Sequence, residues 1–238
     1  MMQIPMGIAS AITADGTMVA GRDQWWKTSG QTGTFGPFPG EQNQTQAYGL
    51  SGTGESPVAV GAAIKGSDDN GATFHAFSWT PAGGLRDLGV TTGTQSIAMA
   101  ISANGLVIVG EATDPNGYYR AFRWTAATGM RDLGTLGGPE SYSLAVNSDG
   151  TVIVGNSLIT GDSGSGVGFV WTAKTGMRNL QTVLQAAGVH TAGKWVSLVE
   201  LDGVSADGTV MAGYGISPKT KALPFGNWEP FRVVLPVP

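Results

Sequence analysis

Five times along this chain an apolar segment runs into a tight turn, resumes as a second apolar segment and closes on a glycine. Residues 96–110 read SIAMAISANGLVIVG and residues 141–155 read SYSLAVNSDGTVIVG, matching over fifteen positions without a gap. Residues 8–21 (IASAITADGTMVAG) and 203–213 (GVSADGTVMAG) carry the same block, and 48–61 (YGLSGTGESPVAVG) carries it with an extra turn residue. The closing glycines Gly21, Gly61, Gly110, Gly155 and Gly213 recur 40, 49, 45 and 58 residues apart. A second block follows the three middle copies: HAFSWTPAGGLRDLG at 75–89, RAFRWTAATGMRDLG at 120–134 and VGFVWTAKTGMRNLQ at 167–181. Repetition on this scale means that one supersecondary unit recurs, each copy needing its neighbours to bury its apolar face.

Each unit reads as four strands. Asn104-Gly105 and Asp149-Gly150 are hairpin turns joining strand a to strand b. The Phe122-Arg123-Trp124-Thr125 type of run supplies strand c, and Met130 to Leu133 supplies strand d. Four strands per 40–45 residues predicts an all-β, five-bladed β-propeller, since a β-solenoid coil needs only about half that period. The blades fall near 7–38, 46–89, 96–134, 141–181 and 198–235 of a single domain, 1–238. The fifth copy has a strand c at Phe231–Val234 but little chain after it. Residues 2–6, with Pro5 tolerable only at a sheet edge, are therefore expected to complete the last blade and close the ring.

Composition agrees with such a fold. Glycine contributes 38 of 238 residues and charged residues only 13%, which suits many tight turns between short buried strands. A formal charge of −4 offers no basic field for a phosphate backbone, so nucleic acid is not an expected partner. The absence of cysteine excludes disulfides and thiolate metal sites. No apolar run is long enough to cross a bilayer as a helix. The opening Met1-Met2-Gln3-Ile4-Pro5 has neither a basic region nor an apolar stretch, so it is no secretory signal, and an exported form would have had its signal removed.

These blocks resemble the HAF family of extracellular repeats, through His75-Ala76-Phe77 and above all through the stretch from Ala121 to Gly138. The segment from Asn179 to the C-terminus is similar to that family's closing repeat, with a short Leu-rich helical turn, Trp195 and then Phe231. The resemblance implies an exported or cell-surface bacterial protein, such as an autotransporter passenger region. It implies no reaction and supplies no catalytic residues.

Most candidate chemistry has a plainer structural reading. The Trp79, Trp124 and Trp171 column, beside Phe77, Phe122 and Phe169, suggests inter-blade packing more than a sugar platform. Arg86-Asp87 and Arg131-Asp132 suit a solvated sheet edge. His75 occupies a column held elsewhere by Arg120 and Val167, and His190 lies in a long connection. Neither forms part of a recognisable catalytic set. The 164–168 run (GSGVG) lacks the lysine of a phosphate loop, and 67–71 (SDDNG) lacks a spaced carboxylate for calcium. No cofactor and no metal site are expected.

Residues that break the repeat are more informative. The b–c connections 62–74, 111–119, 156–166 and 214–228 and the d–a connections 36–47, 89–95, 134–141 and 181–198 share one face and carry the variable sequence. Glu200 and Asp202 stand in strand-a columns held elsewhere by Ile8, Ile97 and Tyr142, and by Ser10, Met99 and Leu144. One step past the closing glycine the column reads Arg22, Ala62, Glu111, Asn156 and Tyr214. Arg22, Glu111, Tyr118, Tyr119, Tyr142, Trp195, Glu200 and Asp202 are therefore the expected ligand-binding residues, at the mouth of the channel. An Arg22–Glu200 pair across the closing seam is the structural alternative. The leading expectation is a monomeric, non-catalytic recognition or adhesion module for a glycan or other cell-surface ligand. The alternative is a carbohydrate-active enzyme, whose carboxylates would be Glu200, Asp202 and Glu111. A plain architectural spacer is the third reading.

Overall fold

The computed structural model describes residues 8–68, 71–161, 166–189, 191, 193–219 and 228–235. They form five antiparallel sheets in chain order. Sheet one is β1 (Ala9–Ile12), β2 (Met18–Gly21), β3 (Gln24–Lys27) and β4 (Thr32–Thr34). Sheet two is β5 (Thr45–Ser51), β6 (Val58–Asp68), β7 (Gly71–Thr80) and β8 (Gly84–Asp87). Sheet three is β9 (Ser96–Ile101), β10 (Ile108–Thr113), β11 (Tyr119–Thr125) and β12 (Gly129–Asp132). Sheet four is β13 (Gly137–Val146), β14 (Val152–Ile159), β15 (Val167–Thr172) and β16 (Gly176–Asn179). A short helix α1 (Leu180–Ala186), N-capped by the Asn179 side chain, leads to sheet five: β17 (Ser197–Val204), β18 (Val210–Ile216) and β19 (Glu229–Val234).

The closing glycine is a packing requirement. In every sheet the first strand carries an irregularity beside it, between Ala9 and Ala11, Ala47 and Gly49, Ser143 and Ala145, Leu201 and Gly203, and opposite Val109 and Gly110. That bulge drives a strand-a carbonyl toward the glycine of strand b. A β-carbon on Gly21, Gly61, Gly110, Gly155 or Gly213 would collide with the carbonyl of Ile8, Gln46, Ile97, Tyr142 or Glu200 respectively. Only glycine leaves room for this approach.

Strand b of sheets one to four lies against strand a of the next sheet, joined in sheets two to four by strand c. Ala20, Val60, Val109 and Val154, one residue before each closing glycine, are fully buried by this contact. Opposite the glycines, Ala47, Ala98, Ser143 and Leu201 are also fully buried. Buried serines pin two of the joints. Ser96 Oγ accepts from the Ala76 N–H (2.8 Å) and donates to the Gly89 carbonyl (2.6 Å). Ser141 repeats the arrangement with Ala121 (2.9 Å) and Gly134 (2.7 Å). Phe77, Phe122 and Phe169 are wholly buried, Trp79 and Trp124 nearly so, and Trp171 packs at the edge of the same cores. The tryptophan column is therefore interior packing.

The succession stops at sheets one and five. Around β1, Ala9 is exposed, as are Ile8 (57%) and Ile12 (59%), although their counterparts in the other sheets are buried or half-buried. At the other end Ala212 and Pro230 are exposed, in the columns of Val154 and Gly168. Among the described residues, no packing like that between consecutive sheets joins sheet five to sheet one. The expected closing strand at residues 2–6 lies outside the described residues. The fifth sheet has three described strands.

Two expectations about connections are corrected. Residues 62–74 are mostly ladder: β6 and β7 pair from Ala59↔Trp79 through Asp68↔Gly71. Part of 134–141 is strand as well, because β13 begins at Gly137 and Gly137 faces Ile159 across the sheet. The uneven spacing of the repeats thus reflects longer hairpins as well as longer loops.

Candidate functional site

The residues following the closing glycines line one rim. Glu111 stands opposite Ile97 and Ala121, Asn156 opposite Tyr142 and Gly168, and Tyr214 opposite Glu200 and Pro230. Arg22 bridges to Gln46 of the next sheet. All lie at the end where b meets c, because the hairpins 103–107 and 126–128 are at the opposite end of the same strands.

Three groups occupy this rim. Arg22, exposed, lines a cavity of about 260 Å³ with Gln44, Gln46, Tyr48, Phe74 and Ile97. The second group is built on sheets three and four. Tyr119 and Tyr142 have ring centroids 6.1 Å apart, and both hydroxyls lie in the field of Glu111 and Glu140. Burial, then repulsion from Glu140, pushes the Glu111 carboxyl up to about 7. Burial also raises both phenols, and the facing Glu140 raises Tyr142 further.

The third group belongs to sheet five. Glu200 and Tyr214 face each other across β17 and β18, and Asp202 lies close enough to repel the Glu200 carboxylate. Burial, partly offset by the Tyr214 hydroxyl, raises the Glu200 carboxyl. The Tyr214 ring stacks on Trp228 with centroids 4.5 Å apart and planes 11° from parallel. Trp228 remains 51% exposed, so one indole face is held by tyrosine while much of the ring meets solvent. Asn156 links this group to sheet four through a 2.6 Å hydrogen bond from its Nδ2 to the Val199 carbonyl.

The expected site residues therefore separate. Glu111, Tyr119 and Tyr142 come together, as do Glu200 and Asp202, while Arg22 stands apart. No ion pair joins Arg22 to Glu200 among the described residues, so the seam latch is not formed. Trp195 is a packing residue: its ring meets Phe231 edge-on at 5.6 Å and lies over Gly215. Tyr118 is 45% exposed on a turn whose N–H groups at Asn116 and Tyr118 bind Asp114. Sequence reasoning left Glu140, Tyr214 and Trp228 out of the expected set. Tyr214 already stood in the informative column, and Trp228 closes the same 214–228 connection as one of its loop aromatics, but the sequence did not show that the two rings stack. His75 bonds to both oxygens of Asp87 (3.0 and 3.1 Å) on the outer strands, and His190 lies outside the described residues.

Among solved structures, the chain is similar to TolB from Acinetobacter baumannii, with a TM-score of 0.55 and 15% identity over 89% of this chain. The fold is β-propeller-like. The match spans about half of that longer chain, 49%, and at this identity it speaks to the fold alone. No family model and no curated protein matches the sequence.

Among the described residues no three His, Asp or Glu side chains are grouped to hold a metal ion. No helix there is long and apolar enough to cross a membrane. What the rim offers is an aromatic face beside carboxylate acceptors, twice, on neighbouring sheets.

Proposed function

We propose that the protein is a non-catalytic recognition or adhesion module of the cell surface that binds glycan at this rim. In this reading the five sheets are the five blades of one propeller, of HAF repeat type. The observation that carries it is the Tyr214–Trp228 stack beside Glu200 and Asp202. A sugar ring presents C–H groups on its face and hydroxyls at its edge. A fixed, half-exposed indole accepts the first at little entropic cost, and carboxylates accept hydrogen bonds from the second. A glycan-array screen on the monomeric protein, followed by calorimetry on the hits, tests the reading. Trp228→Ala should weaken binding at least about tenfold with the melting temperature unchanged. Unaltered affinity would remove this site from consideration.

One observation favours a second reading, a carbohydrate-active enzyme. Glu111, poised near pH 7 beside Glu140, has the protonation behaviour of a general acid. A reducing-sugar assay on array hits decides between the two. Turnover abolished by Glu111→Gln makes the protein an enzyme, and binding without turnover leaves it a binder.

A further inference from the structure

The face opposite the rim carries the a–b hairpins, and beside the lengthened second one the third departs from its siblings. In the first, fourth and fifth copies an aspartate side chain ties up a threonine two residues on. Asp15 accepts from Thr17 N–H and hydroxyl (3.1 and 2.7 Å), Asp149 from Thr151 (3.0 and 2.6 Å), and Asp207 from Thr209 (3.0 and 2.9 Å). The third copy has Asn104 and Leu106 instead. Asn104 Oδ1 still accepts from the Leu106 N–H (3.0 Å) and the Ser102 hydroxyl (2.6 Å), so the turn is kept. Its charge is gone, and Leu106 is left 66% exposed. The fold gains nothing from an exposed leucine where threonine serves in three sibling copies.

That leucine borders a cavity of about 640 Å³ between sheets two and three, lined also by Ser78, Arg86, Arg123, Trp124 and Asp149. The Arg86 guanidinium lies over the Trp124 ring, 5.0 Å from its centroid, which holds the fork in place. Neither arginine has an ion-pair partner among the described residues. The one carboxylate in the wall, Asp149, is already engaged by Thr151. The corresponding cavity between sheets four and five is lined by a single arginine, Arg178, and by Asp207. Among the described residues, the groove between sheets two and three combines two guanidiniums without ion-pair partners and an apolar lip, in a volume suited to a small molecule.

We propose that this groove binds a small aromatic carboxylate, with its carboxylate on Arg86 and Arg123 and its ring on Leu106. Two guanidiniums supply the charge-assisted, directional bonds such an anion needs, and the leucine supplies the apolar contact that a bare anion would not use. This site is separate from the glycan rim, and its test does not depend on it.

Calorimetric titration of the whole protein with 3-phenylpropionate should show one saturable site. Its amide should bind at least about tenfold more weakly, and acetate should not compete at about 10 mM. Arg86→Gln and Arg123→Gln should each weaken binding about fivefold or more, as should Leu106→Thr, which restores the sibling residue. Arg86 and Leu106 are exposed, so these two variants are expected to keep the parent melting temperature, and Trp228→Ala should leave binding intact. The proposal is overturned by absence of saturable binding, by equal affinity for the amide or acetate, or by full affinity in Leu106→Thr.

Discussion

The Ser143 hydroxyl is buried without a hydrogen-bond partner, in the column where sheets two and three carry Ala47 and Ala98. Burying an unpaired hydroxyl costs free energy that an alanine does not incur. Ser143→Ala should therefore raise stability by about 1 kcal/mol in urea denaturation. Trp124 gives the opposite case: its side chain fills the joint between sheets two and three, and Trp124→Ala should cost about 3–5 kcal/mol. Glu111 couples the rim to pH. Its carboxyl is raised in the folded state, so the native protein holds a proton that the unfolded chain releases near the ordinary glutamate value. Stability from this group is complete below about pH 4.5 and is lost as pH rises through about 7. Glu111→Gln should match the parent at pH 4 and exceed it by about 1–3 kcal/mol at pH 8, read from denaturation at the two pH values.

At the scale of the strand, the closing glycine and the pinning serine are the working parts of the repeat. Gly110→Ala should cost more than about 2 kcal/mol, because the clash is with the backbone carbonyl of Ile97 rather than with a side chain that can swing away. Ser141→Ala strands the Ala121 N–H in the interior and should cost about 1–3 kcal/mol, while the exposed Thr128→Ala, measured alongside, should cost little. The hairpin elements were legible because Asn-Gly and Asp-Gly turns and alternating apolar strands are local signals. The third and fourth strands of sheet one, QWWK and TGT, were not, because they carry neither the Phe-x-Trp-Thr run nor the Arg-Asp-Leu block by which their counterparts are recognised. The site was legible only in part. Columns revealed Glu111, Tyr142 and Glu200 as departures from the repeat. The partners Glu140 and Trp228 lie before β13 pairs closely and before β19 begins, and only tertiary contact brings them to the rim.

On the scale of the whole molecule, the joints among the described residues are between sheets neighbouring in sequence, and sheets one and five each show exposed apolar residues there. If that succession stays open, it is a one-dimensional array, its stability a sum of unit terms and nearest-neighbour couplings. An inner unit is held by two couplings and an end unit by one, so melting should begin at the ends and travel inward. Hydrogen exchange followed by mass spectrometry should find the amides of β1 and β2 opening well before those of β9, β10 and β11, with β18 and β19 also early. A ring has no first unit to lose. Uniform protection around all five sheets would mean that the ring is closed in solution, with the faces of Ile12 and Ala212 covered. Graded protection would mean that the chain frays like an unspliced rope, and that its length in repeats, more than the strength of any one of them, sets how long its middle survives.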